Sequence, residues 1–289
     1  MTRRPPDVSL PVRGGRLPVW RVGSGPPVIL LHGWTLDARI WDQQVRNLAK
    51  RFTVITYDRR GFGLSDAPAD LREEPEDLGR LLAWSGSASA SIVAMSQGTR
   101  VALAFAAACP DAVERLVLMA APFPCQSSGR DQDEKLPLSE MRRLARAGRF
   151  ADLTQLVAAQ PIMAVRNDRA RAQLLTVLGD YRGRDLIDES HPLEIGAEAL
   201  GKISAPTLVL VGCADAPARL AAAEYLVRTV QRATLVRLRS AGHLCNLDRA
   251  SQFNALVNVF LNGQSDITAE PAQRGLPSRK STANNSIYE

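Results

Sequence analysis

Seven short runs rich in β-branched residues and leucine recur along the chain, at residues 17–22, 28–31, 53–57, 91–95, 115–119, 207–211 and 234–238. From residue 28 onward most are nearly continuously apolar, which is the pattern of parallel strands buried on both faces rather than of a half-wet antiparallel sheet. Helical spacing of apolar residues fills most of the gaps, at 41–50, 76–84, 99–108, 218–229 and 249–261. Alternation of this kind predicts a mostly parallel sheet covered by helices on both sides, with any ligand site at the carboxyl ends of the strands. A length of 289 residues with 45% hydrophobic content is enough for one such core.

The rhythm breaks between about Pro122 and Lys202. Leu138, Met141 and Leu144, then Leu153, Leu156 and Val157, then Leu174, Leu175 and Leu178 fall at helical spacing, with no convincing strand among them. Residues 122–202 therefore read as a helical insertion, and 1–121 with 203–263 as the core into which it is placed. Residues 264–289 turn polar and rich in Ser, Pro, Asn and Arg, the composition of a disordered tail.

Lys and Arg outnumber Asp and Glu by 36 to 30, but the basic residues are dispersed. Nucleic-acid binding needs them concentrated, so that class of partner is not expected. Cys109, Cys125, Cys213 and Cys245 form no C-x-x-C pair, which argues against a zinc site or a disulfide framework and for reduced, buried thiols. Arg3 and Arg4 are followed by Pro5, Pro6 and Asp7 where a signal peptide would need an apolar run, and no run approaches a membrane span. The expectation is a cytoplasmic protein with no membrane, metal or cofactor.

The chemistry gathers at strand ends. Ala94-Met95-Ser96-Gln97-Gly98 lies where the strand 91–95 meets a helix, and a serine on such a sharp turn projects its hydroxyl above the sheet while small residues on either side avoid backbone clashes. The pattern is G-x-S-x-G with Ala94 in the first position; alone, the string also fits an ordinary helix-capping serine. A serine nucleophile needs a histidine to take its proton and a carboxylate to orient the imidazole. His243, in Ala241-Gly242-His243, follows the last strand run, and Asp215, in Gly212-Cys213-Ala214-Asp215, follows the one before it. Asp58 and Asp66 compete for the acid's role but sit in Asp58-Arg59-Arg60-Gly61-Phe62-Gly63-Leu64-Ser65-Asp66, which reads as a tight loop they help fold. For an oxyanion, the backbone N–H groups of Gln97 and of Trp34, in His32-Gly33-Trp34, are the candidate donors. His32 is expected to order that loop, and His191, before Pro192, to lie in a surface loop.

With these strings in place, the chain resembles the α/β-hydrolase fold superfamily over about residues 17–262. The resemblance implies an eight-stranded, mostly parallel sheet flanked by helices, with a helical cap inserted after strand 6. It is nearest the serine branch, which includes carboxylesterases, enol-lactonases, carbon–carbon bond hydrolases and perhydrolases; Ser96 argues against branches with Asp at that position. The function expected is hydrolysis of a small, largely apolar ester or lactone through an acyl-enzyme. The same three residues could instead cleave a carbon–carbon bond, make peracids or transfer an acyl group, and a ligand-binding protein on a hydrolase fold is the non-enzymatic alternative.

Overall fold

The structure is a computed structural model describing residues 3–123, 136–188 and 191–264. Eight strands form one sheet: β1 (Val8–Val12), β2 (Gly15–Val22), β3 (Pro27–Leu31), β4 (Thr53–Tyr57), β5 (Ala90–Met95), β6 (Val113–Met119), β7 (Thr207–Gly212) and β8 (Ala233–Leu238). Their order is β1-β2-β4-β3-β5-β6-β7-β8, with β1 and β2 antiparallel to their neighbours and every later pairing parallel. All seven runs read from the sequence are strands. The eighth, β1, lacks a long apolar run: it is an edge strand with Pro11 in it, and Leu10 is its buried residue.

Alternate residues of the central strands serve different cores. Val28, Leu30, Val93, Met95, Val117 and Leu210 face one side, where they pack with Trp41 and Phe253. Ile29, Leu31, Ile92, Ala94, Leu118 and Val209 face the other, against Leu78, Leu81 and Val101. Two buried faces account for strands that read as unbroken apolar runs. Helices α1 (Asp42–Leu48), α2 (Glu74–Ser85), α3 (Gln97–Ala108), α9 (Pro217–Thr229), α10 (Cys245–Asp248) and α11 (Ala250–Leu261) cover these faces.

Between β6 and β7 the described residues hold helices and no strand: α4 (Leu138–Arg146), α5 (Phe150–Ala158), α6 (Asp168–Leu178), α7 (Arg184–Ile187) and α8 (Ala197–Gly201). Met141, Leu144, Leu153, Val157, Leu174 and Leu178 are buried and join the core on one face of the sheet, whereas Leu138 and Leu175 stay exposed.

The chain leaves β3 toward β4 on one side and later returns to place β5 on the other. The carboxyl ends of β3 and β5 therefore diverge in their connections, which opens a crevice at that point of the sheet. No helix of the described residues is long and apolar enough to cross a membrane. Of the cysteines, Cys245 is buried but Cys109 and Cys213 are exposed, contrary to the expectation of buried thiols: Cys109 ends α3 and Cys213 lies just past β7, both beyond the packed interior. Cys125 and the tail from residue 265 lie outside the described residues.

Candidate active site

Ser96 stands between the end of β5 and the first residue of α3, with φ 48° and ψ −125°. That backbone region is strained for a residue with a Cβ, costing about 1–3 kcal/mol, and persists only where neighbours over-determine it. They do so here: the Ser96 N–H donates to the Met119 carbonyl at 2.8 Å, and the Ser96 carbonyl accepts from the Thr99 N–H at 2.9 Å and the Thr99 hydroxyl at 2.6 Å. Gly98 is forced by the same turn, because a Cβ there would sit 2.6 Å from the His32 carbonyl oxygen.

Three strand ends bring Ser96, His243 and Asp215 together. His243 Nε2 lies 3.0 Å from Ser96 Oγ, and Nδ1 lies 3.1 Å from each Asp215 carboxylate oxygen. With the imidazole proton on Nδ1 donated to Asp215, Nε2 is the acceptor of the serine O–H. Asp215 also accepts from the Ala216 N–H at 2.8 Å, and both His243 and Asp215 are buried. The loops that carry them touch, since the Ala214 N–H donates to the Ala241 carbonyl at 2.9 Å. Glycine at 212 permits that approach: a Cβ there would meet the Gly242 and Ala241 carbonyl oxygens at 2.3 and 2.4 Å.

Trp34 and Gln97 flank the serine. Gln97 opens α3, so its N–H has no carbonyl one turn back to donate to. Trp34 follows Gly33, whose missing Cβ would stand 3.2 Å from the Ser96 Cβ. His32 is fully buried: its Nδ1 pairs with the Gly33 carbonyl at 2.8 Å and its Nε2 accepts from the Arg59 N–H at 3.0 Å. Burial first, and the nearby Arg59 charge second, hold its pKa well below the usual histidine range, so it is neutral and anchors the loop.

Below this loop lie two buried ion pairs. Arg59 binds Glu74 through Nε at 2.6 Å and Nη2 at 3.0 Å, and also reaches the His32 carbonyl and Gln97 Oε1. Arg60 binds Asp77 through two nitrogens. Asp58 does more than shape its turn, for its two oxygens accept from the N–H groups of Ala38 and Leu64 and pair with Arg3. Burial raises it to about 6, with the neighbouring Asp37 charge adding to the effect. Asp66 accepts from the Arg16 N–H. His191 is exposed in a loop.

A cavity of about 410 Å³ opens over Ser96 and His243. Leu36, Met95, Ile162, Met163 and Leu186 supply apolar wall, but Arg60, Arg100, Arg219 and Asp185 also reach it. These charges are scattered in sequence, so the wall is more polar than a small, largely apolar substrate would lead one to expect. Asp185 stands out. Its Oδ2 accepts from the Trp34 indole N–H at 2.6 Å and its Oδ1 from the Tyr181 hydroxyl at 2.8 Å. Burial pushes it up to about 6, against the pull of those two bonds and of the Arg59 charge. Nothing in the sequence marks it among the several acids of the insertion. A second cavity, of about 790 Å³, reaches Asp215 and His243 alongside Gln160 and Pro217. Among the described residues no group of three or more His, Cys, Asp or Glu is placed to hold a metal ion.

Residues 26–250 match the family model of the alpha/beta hydrolase fold. The chain belongs to that family. A pimeloyl-[acyl-carrier protein] methyl ester esterase of Nitrosomonas europaea is 28% identical over 246 residues, 80% of this chain and 94% of the relative. Among solved structures, a thermophilic esterase from Thermogutta terrifontis superposes with a TM-score of 0.74 at 24% identity, covering 88% of this chain and 96% of the other. The enol-lactonase from Burkholderia xenovorans LB400 gives 0.71 at 24% identity, covering 88% and 100%. The chain is thus an α/β-hydrolase-fold enzyme whose relatives include esterases.

Proposed function

We propose that this α/β-hydrolase is a serine esterase or lactonase acting on a small substrate. Ser96 Oγ attacks the carbonyl carbon, and its proton passes to His243 Nε2. Asp215 holds the Nδ1 proton and stabilises the imidazolium that results. The carbonyl oxygen, now an anion, accepts from the N–H groups of Trp34 and Gln97. His243 then returns its proton to the departing alcohol oxygen, leaving Ser96 acylated. Water, deprotonated by His243, attacks the acyl carbon; the second oxyanion collapses and Ser96 is released with a proton.

The line of contacts from Ser96 Oγ through His243 to Asp215, at 3.0 and 3.1 Å, carries this reading. Oxyanion donors are each worth about 3 kcal/mol in hydrolases of this kind. The helices between β6 and β7 act as a cap in this scheme, supplying Ile162, Met163 and Leu186 to the apolar wall for the acyl chain and excluding solvent. The adjoining cavity beside His243 gives room for the leaving group. Relatives named as an esterase of a pimeloyl methyl ester and as an enol-lactonase support ester or lactone carbonyls as the substrate class.

A panel of p-nitrophenyl esters and lactones, run with native protein and with Ser96→Ala, tests the assignment. Turnover with the native protein, fluorophosphonate labelling of it, and loss of both in the variant are expected. A native protein that takes no label, with residual turnover equal in Ser96→Ala, would sink the serine mechanism.

A further inference from the structure

We propose that Asp185 is a positioning residue through which the inserted helices set the oxyanion loop at Trp34. The inference rests on the serine-hydrolase reading and adds to it a dependence of the chemical step on the insertion.

The loop cannot hold its shape by its own backbone alone. Gly33 has no side chain to pack, and Thr35 sits at φ 62°, a left-handed conformation unfavourable for a β-branched residue. Within the loop the His32 ring is bonded to the Gly33 carbonyl and the Thr35 hydroxyl to the Trp34 carbonyl at 2.7 Å, and on the core side the His32 ring accepts from the Arg59 N–H at 3.0 Å. On the far side the Trp34 indole is fixed by Asp185 at 2.6 Å and lies edge-on to Tyr181, with ring centroids 6.5 Å apart. Tyr181 in turn stacks on Phe62 and donates to the other Asp185 oxygen.

Asp185 is itself held in place. Its neighbour Arg184 donates to the carbonyls of Ser65 and Gly63, and the Ala69 N–H donates to Asp188 Oδ2 at 3.1 Å. Residues 184–188 are therefore riveted to the core loop that follows β4, and Asp185 reaches the indole from a fixed position. An oxyanion donor must meet the place where charge develops to within a few tenths of an ångström, so the bond that fixes the Trp34 side chain also bears on where its N–H points. A carboxylate serves both donors, Trp34 and Tyr181, with one oxygen each.

The test measures kcat and KM on a p-nitrophenyl ester for Asp185→Ala, Asp185→Asn, Trp34→Phe and the Trp34→Phe/Asp185→Ala double variant. Asp185→Ala is expected to lower kcat about 10- to 100-fold, part of what deleting an oxyanion donor costs, with KM within about threefold. Asparagine keeps one acceptor for the indole and can donate to the Tyr181 oxygen, so Asp185→Asn should restore kcat to within about threefold of native. Trp34→Phe removes the indole N–H and should reproduce the Ala loss, which keeps the test open even if Asp185→Ala fails to fold. In the Trp34→Phe background the Ala change should then add less than about threefold, the non-additivity of two residues acting through one bond.

Native turnover left unchanged by Asp185→Ala, or lowered as much in the Trp34→Phe background as alone, overturns the proposal while the serine-hydrolase reading stands. A native protein with neither turnover nor fluorophosphonate label overturns both.

Discussion

The strand ends of the core and the helices inserted between β6 and β7 contribute to the same cavity by different physical routes. At the strand ends, position is dictated by the sheet: parallel pairing of β3, β5, β6, β7 and β8 brings the loops carrying Trp34, Ser96, Asp215 and His243 to one edge. Glycines at 98 and 212 then allow those loops to approach within distances no side chain would permit, and Gly33 lets its loop lie close against Ser96. The inserted helices are short and amphipathic, and Met141, Leu153 and Leu174 join the core on one side of the sheet. They reach the cavity through single side chains such as Asp185 and Ile162. Chemistry is placed by backbone on one side and by individual contacts on the other.

Replacing Asp215 by Asn gives the largest effect expected from the strand-end region. Shape and packing are kept, but the amide can steer the histidine into the wrong tautomer, and a comparable change in a serine protease lowers kcat about 10⁴-fold. An ester assay beside a thermal melt checks this: kcat should collapse with the melting temperature nearly constant. Equal turnover by the Asn variant would move the acid's role to another carboxylate and leave the strand-end account without its second member.

Beneath the loop of residues 32–35 the expected effect is on stability. The Arg59 and Glu74 side chains are 0% and 3% exposed, so Glu74→Ala leaves a buried guanidinium without its carboxylate. Removing one partner of such a pair costs about 3–5 kcal/mol. Denaturant unfolding should show that loss, and because Arg59 also touches the His32 carbonyl and Gln97, residual activity should fall with it. In the inserted helices, Leu153→Ala empties a fully buried position and should cost about 2–4 kcal/mol in the same measurement. Its effect on fluorophosphonate labelling of Ser96 should be far smaller than that of Asp215→Asn. If both stability variants impaired labelling equally, the division between backbone-placed and contact-placed chemistry would fail.

This division also explains what could be read from the sequence. The seven apolar strand runs and the strings around Ser96, Asp215 and His243 are local patterns, because strand period, turn geometry and loop glycines are each encoded within a few residues. β1 escaped because an edge strand buries little: Leu10 alone of its five residues is buried. Arg59 was legible as part of a loop, but its partnership with Glu74 spans fifteen residues and leaves no spacing rule. Asp185 was illegible for a stronger reason. Its meaning depends on Trp34, 151 residues away, and no local feature separates it from Asp180 or Asp188. The charged wall of the cavity was hidden likewise, since Arg60, Arg100 and Arg219 meet only in the fold.

The smallest expected effect separates the two regions by pH. Asp185 is raised from the ordinary 3.8 to about 6, chiefly by burial, so between those values the folded protein holds a proton there that the unfolded chain releases. A group raised in this way favours the folded state at pH 4 and below, and that contribution disappears as pH rises through 6. Above pH 7 the native protein therefore carries an ionised carboxylate faced by Trp34, Tyr181 and the more distant Arg59, whereas Asp185→Asn carries a neutral amide. The melting temperature of the Asn variant relative to native should accordingly increase between pH 4.5 and pH 7.5, by about 3 °C for a chain of this size. Asp58, also raised to about 6, titrates in the same window but is present in both proteins and cancels in the difference. Melting temperatures that run parallel across this range would mean that the bonds from Trp34 and Tyr181 and the Arg59 charge fully offset burial, and the raised titration of Asp185 would fall.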